Sequence, residues 1–309
     1  MGTSNSYGGP SGGTPLVPNW LDGGGSSTPA PDGNSPTPND GNNNDGNDNP
    51  VNNNTNPNDG NNGAIPAAPT NRPPIQPGSS GRFTNARTNF TQFVKSGGKD
   101  RSKLGKSLSS YVSTSNGGAR NASKRMGSSR RATTNLLNFF SSVQTQGSTA
   151  ALQALNLGGL AGKTVEEIFL GLADYICPDG GNVDEGIARS AFIETIAELA
   201  QNGITDIDTL TPDQMQTVLE IFATHAIEER LYNDVGTKIC IASENIQVFE
   251  KVQAQLHDFI MRGVSDACTK ANINIKSMTH DKAQTLIDGI YESAFGILQN
   301  LADKEAEGE

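Results

Sequence analysis

Thr279-His280-Asp281-Lys282-Ala283-Gln284-Thr285-Leu286-Ile287-Asp288-Gly289-Ile290-Tyr291-Glu292-Ser293-Ala294-Phe295-Gly296-Ile297-Leu298-Gln299-Asn300-Leu301 decides the fold class. Within it Ala283, Ile287, Ile290, Ala294, Ile297 and Leu301 recur at alternating steps of four and three, the spacing that draws one apolar seam along a helix. Leu286, Tyr291, Phe295 and Leu298 widen that seam. So broad a face predicts burial in a helical bundle rather than an exposed two-helix zipper.

Upstream the same period recurs between start signals. A long helix beginning near Ser243 carries Ile246, Phe249, Val252, Leu256, Ile260 and Val264. Thr211 followed by Pro212 and Asp213 opens another, because Pro suits a first helical turn whose N–H groups have no partner. Asn182 with Glu185, and Thr164 with Glu167, have the capping-box spacing. Leu136, Phe139, Phe140 and Val143 begin the periodic region, and a short helix is expected through Ala150, Leu152 and Leu155. Residues 134–309 carry twenty-six acidic against ten basic side chains and are expected to form one acidic, all-α bundle with a short acidic tail.

This region offers poor material for catalysis. His225, His257 and His280 are the only histidines, and none has a His or Cys neighbour at metal-ligand spacing. His225 beside Glu228 and Glu229 lacks the paired histidines of a zincin helix, and Asp179, Asn182 and Asp184 lack the EF-hand spacing. No Ser, Cys or Lys sits in a recognisable nucleophile setting. We therefore expect no enzyme activity, no cofactor and no metal. Cys177, Cys240 and Cys268 are odd in number and widely spaced, which fits free thiols in a reducing cytoplasm.

Residues 82–133 reverse the charge, with twelve Lys and Arg against the single Asp100. Phe83, Phe90, Phe93 and Val94, then Leu104, Leu108, Tyr111 and Val112, predict short amphipathic helices, so the segment reads as partly helical. Arg120, Lys124, Arg125, Arg130 and Arg131 follow in a Gly/Ser setting that favours loops or helices formed on binding. They make a candidate interaction surface for nucleic-acid phosphates, for an acidic partner, or for the chain's own acidic region. Gly105-Lys106-Ser107 resembles the end of a phosphate loop, but the earlier Gly it needs is Asp100 and no strand precedes it.

Residues 22–81 are dominated by Asn, Asp, Gly and Pro, and fourteen of the sixteen prolines lie at or before Pro77. Ordering each residue costs about 1–2 kcal/mol of backbone entropy, and these side chains bury little to offset it, so a disordered linker is expected. Ahead of it, residues 1–21 read as a recognition peptide, with Ser4, Tyr7, Pro10, Leu16 and Trp20 as its partner-binding candidates. Trp20 is the only Trp in the chain, and a disordered tail has no packing reason to keep it. Gly2, exposed by removal of Met1, would present an amine with a pKa of about 7.7–8, partly neutral and nucleophilic. Met1-Gly2 with Ser6 also fits the short N-myristoylation pattern. No stretch is long and apolar enough to span a bilayer, and the first thirty residues do not read as a secretory signal.

Met1-Gly2-Thr3-Ser4, Ser6-Tyr7-Gly8-Gly9-Pro10, Pro15-Leu16-Val17-Pro18 and Trp20 form one block. A second runs from Leu104 through Tyr111-Val112 to Gly117-Gly118-Ala119-Arg120 and Arg125-Met126-Gly127. In order and spacing around a variable linker they resemble the QatB proteins of bacterial Qat anti-phage systems. The resemblance implies an accessory role beside a KAP-like P-loop ATPase (QatA), a QueC-like enzyme (QatC) and a TatD-like nuclease (QatD). It suggests a modification at Gly2: a QueC-like partner activates a deazaguanine carboxylate with ATP, and the tethered Gly2 amine would replace ammonia as the nucleophile. The competing expectation is an adaptor that senses phage DNA through the basic segment.

Overall fold

The computed structural model describes residues 81–178, 180–201, 204, 206–236, 246–275 and 278–308. Among them the order is α1 (Thr84–Lys95), α2 (Arg101–Ser110), α3 (Ala119–Lys124), α4 (Gly127–Gln146), α5 (Ser148–Ala154), α6 (Val165–Ile176), α7 (Val183–Gln201), α8 (Pro212–Val235), α9 (Ile246–Ala271) and α10 (His280–Glu307). A π-helical turn, Tyr111–Ser115, continues α2, and no strand occurs among the described residues. The chain is mostly α, as the periodicity predicts.

The start signals act as the sequence implies. The Thr164 hydroxyl accepts from the Glu167 N–H at 3.2 Å while the Glu167 carboxylate accepts from the Thr164 N–H at 3.1 Å. Asn182 and Glu185 exchange the same pair of bonds ahead of α7. Thr211 does so with Gln214, and Pro212 takes the first helical position of α8. Thr279 precedes α10 without a side-chain cap bond.

The α10 seam is buried at Ala283, Ile287, Ile290 and Ala294, and Tyr291, Phe295 and Leu298 share the core with it. Ile297 and Leu301 at its far end are only partly buried. This wide face meets α2, α3, α4 and α9, so α10 is a core helix. On the other side α8 lies against α4, α7 and α9. Phe140, Phe169, Phe192 and Phe222 run through that half in successive ring contacts of 6.2, 5.8 and 5.9 Å.

The basic segment differs from the expectation. Phe90, Phe93, Leu104, Leu108, Tyr111 and Met126 are fully buried within the same hydrophobic core as the acidic helices. The boundary expected at Thr133/Thr134 falls inside α4, so residues 82–133 and the acidic region form one folded unit. Arg120, Lys124, Arg130 and Arg131 lie in helices α3 and α4, with Arg125 in the turn between them, because tertiary contacts override the weak propensity of a Gly/Ser-rich stretch. One such contact caps α4: the Asp184 carboxylate accepts from the Ser128 N–H at 2.7 Å.

Gly105, rejected above as a phosphate-loop residue, has a packing role. A Cβ there would lie 2.5 Å from the Ala306 nitrogen and 2.6 Å from the Ala302 carbonyl oxygen, so α2 and α10 cross backbone against backbone. Beside the crossing the Ser102 hydroxyl donates to the Ala306 carbonyl at 3.0 Å. We predict that Gly105→Ala, although it raises intrinsic helix propensity, destabilises the protein by about 1–3 kcal/mol in chemical denaturation, because neither backbone can yield without moving a helix.

Candidate functional site

Two polar clusters stand out among the described residues. The first gathers the basic segment around Asp234, near the end of α8. Asp234 is buried, and its carboxylate accepts from the Tyr111 hydroxyl at 2.9 Å and pairs with Arg125 at 3.1 Å and Arg230 at 3.3 Å. The Asp234 carbonyl accepts from Arg87 Nε at 2.9 Å. Arg125 also donates to the Asn116 side chain at 2.6 Å. Phe83 stacks on Tyr111 at 5.6 Å, with the Arg82 and Arg125 guanidinium groups 4.5 and 5.2 Å from its ring centre. Burial, with the Asp234 charge second, holds the Tyr111 phenol well above its ordinary pKa, so it stays a donor.

Of the five cations expected to form an interaction surface, the structure therefore draws two inward. Arg125 belongs to the Asp234 cluster, and Arg130 pairs with Asp288 of α10 at 2.5 Å. Arg101 pairs with Glu305 in the same manner. Arg120, Lys124 and Arg131 remain exposed and form no ion pair with any described residue. Docking of basic segment on acidic region is thus the arrangement within this chain. Gly2, Ser4, Tyr7, Pro10, Leu16 and Trp20 lie outside the described residues, as do the 22–80 linker and Cys240.

The second cluster was illegible in sequence order. His225 and Glu228 on α8, His257 on α9 and Glu198 on α7 close a square of alternating imidazoles and carboxylates. His225 Nε2 lies 2.8 Å from Glu198 and its Nδ1 3.9 Å from Glu228. His257 Nδ1 lies 3.0 Å from Glu228 and its Nε2 4.0 Å from Glu198. The two rings are 5.1 Å apart, and Glu228 is buried, with 6% exposure. Donation to the Glu228 carboxylate, outweighing partial burial, raises the His257 pKa, while the bond from His225 lowers that of Glu198. Glu229 moves upward, chiefly through burial and then the charge of Glu228.

His225, Glu228 and His257 line an open cleft of about 290 Å³ together with Glu194, Glu229, Glu250 and Tyr232. The Tyr232 hydroxyl is shielded from solvent beside Glu228, and burial first, then that carboxylate, raises its pKa. The only sequence cue was His225-x-x-Glu228 on one helical face; its completion by His257 and Glu198 depends on how α7, α8 and α9 pack. Cys177 and Cys268 are buried free thiols whose pKa values burial pushes up to about 12, which leaves them unreactive as nucleophiles.

Fold and clusters together define an all-α bundle with an internal Arg–Asp network and one acidic, histidine-bearing cleft. Residues 117–298 match the family described as QatB, the Qat anti-phage system associated protein. The match takes in more than half of the chain, and the chain belongs to that family. It is thus an accessory component of an anti-phage defence system, alongside other Qat components. No curated protein and no solved structure matches it. Among the described residues no helix is long and apolar enough to cross a membrane.

Asp234→Ala would leave two guanidinium groups and a buried phenol without their shared acceptor. We predict a loss of about 3 kcal/mol in thermal or chemical unfolding, whereas Arg120→Ala, Lys124→Ala and Arg131→Ala each stay within about 0.5 kcal/mol of the parent protein.

Proposed function

We propose that this protein is a non-enzymatic, cytoplasmic component of the defence complex, handled by its partners at two places. Its N-terminal peptide presents the Gly2 amine to the QueC-like enzyme, with Ser4, Tyr7, Pro10, Leu16 and Trp20 engaging that enzyme's groove. Its helical unit docks on the KAP-like ATPase, with the TatD-like nuclease as a further partner. The observation that carries the reading is membership of the QatB family through the helical unit.

The chemistry asked of Gly2 is simple. An ATP-activated deazaguanine carboxyl group presents an electrophilic carbon; the neutral amine attacks it, the activating group leaves, and one proton goes to solvent as the amide bond forms. The amine's ordinary pKa of about 7.7–8 keeps a useful fraction neutral. In intact-mass measurements of full-length protein co-expressed with and without the QueC-like partner, we expect an added deazaguanine-type group on the N-terminal peptide only when the partner is present. An identical N-terminal peptide in both samples would end this part of the reading. Pull-down against the ATPase tests the docking part separately.

The second reading, a DNA-sensing adaptor, has one observation in its favour: Arg120, Lys124 and Arg131 are exposed and unpaired among the described residues. Because residues 82–133 share the core with the acidic helices, the test uses the full chain. Were they a phosphate-binding surface, R120A/K124A/R131A would lower the slope of log affinity against log salt by about 2–3. Protein that ignores duplex DNA at low salt excludes this reading and leaves docking on protein partners.

A further inference from the structure

The His225–Glu228–His257–Glu198 square has a ligand chemistry that the accessory role does not require. One donor atom from each of His225, Glu228 and His257 lies within 4.8 Å of the other two. Around a tetrahedral zinc ion with bonds of about 2.0–2.1 Å, neighbouring donor atoms stand about 3.4 Å apart. Glu228 Oε2 already lies 3.0 Å from His257 Nδ1 and 3.9 Å from His225 Nδ1, so side-chain rotations of a few tenths of an ångström bring these pairs to that spacing.

Glu198 is a second and independent observation. A metal-bound imidazole usually donates its other ring N–H to a carboxylate, which fixes the tautomer and the ring plane. Here His225 Nε2 is hydrogen-bonded to the Glu198 carboxylate at 2.8 Å, whereas His257 Nε2 stands 4.0 Å from it. That leaves the His225 Nδ1 lone pair on the side on which Glu228 lies, while His257 Nδ1 is hydrogen-bonded to Glu228 at 3.0 Å and would give up that proton as a cation binds. Glu194, Glu229 and Glu250 around the cleft supply further negative charge that favours a cation.

We infer that this cleft is a binding site for a zinc-class divalent cation, held by His225 Nδ1, His257 Nδ1 and Glu228 Oε2, with Glu198 as the carboxylate that orients the His225 ring. Two imidazole nitrogens and one carboxylate suit zinc or cobalt better than calcium or magnesium, which prefer all-oxygen shells. Three protein donors leave one position open to the cleft for water. The cation would tie α7, α8 and α9 together, so occupancy would also raise thermal stability.

The test uses full-length protein stripped with a chelator and titrated with Zn²⁺ and Co²⁺ in calorimetry and visible spectroscopy. The inference expects one ion per chain, tetrahedral cobalt bands without a thiolate charge-transfer band, and a rise in Tm on adding Zn²⁺. Glu198→Gln, which removes only the orienting carboxylate, is expected to weaken binding about 10–100-fold. His225→Gln with His257→Gln is expected to abolish it. Absence of stoichiometric binding, or binding that survives the double histidine substitution, overturns the site. Should the double variant not fold, zinc-edge X-ray absorption of the parent protein decides: two imidazoles and no sulfur support the site, and a sulfur shell overturns it.

Discussion

The crossing of α2 over α10 at Gly105 is the constraint on which the rest of the structure depends. A backbone-to-backbone approach admits no side chain between the helices, so it fixes their separation and register together. With that register go the burial of Leu104 and Leu108 and the meeting of Arg101 with Glu305. The residues joined there are two hundred positions apart in the chain, so the leading helices of the bundle close on the trailing ones. Arg125 and Arg130 continue this closure by ion pairs to α8 and α10.

The charge reversal between the two segments thus has an internal use. Asp234 satisfies a phenol and two guanidinium groups at once, and an isolated carboxylate as buried as this one would be costly. Lys95, Lys99, Lys106, Arg120, Lys124 and Arg131 remain outward on the basic side, and the acidic side gathers carboxylates around the cleft. Complementary partners would find these surfaces already sorted by sign.

Most helices were legible because their signals are local. Thr164, Asn182 and Thr211 each announce a start within four residues, and the α10 seam repeats over six positions. The segment around Arg120 to Arg131 was misread for the opposite reason. Its Gly and Ser residues lower helix propensity, while the cap that rescues α4 comes from Asp184, far along the chain. The histidine cleft failed the same way: ligand spacing along one helix is readable, but three helices converging on one point are not, so His257 showed no His or Cys neighbour at ligand spacing.

Packing of α2 on α10 makes residues 84–146 and the last two helices open and close as one cooperative body. Native-state amide hydrogen exchange on the full chain reads this directly. The buried amides of α2 and of α10 are expected to exchange with the same free energy and the same denaturant dependence, both equal to those of global unfolding. Exchange of α2 through a lower-energy opening, with α10 still protected, would contradict it.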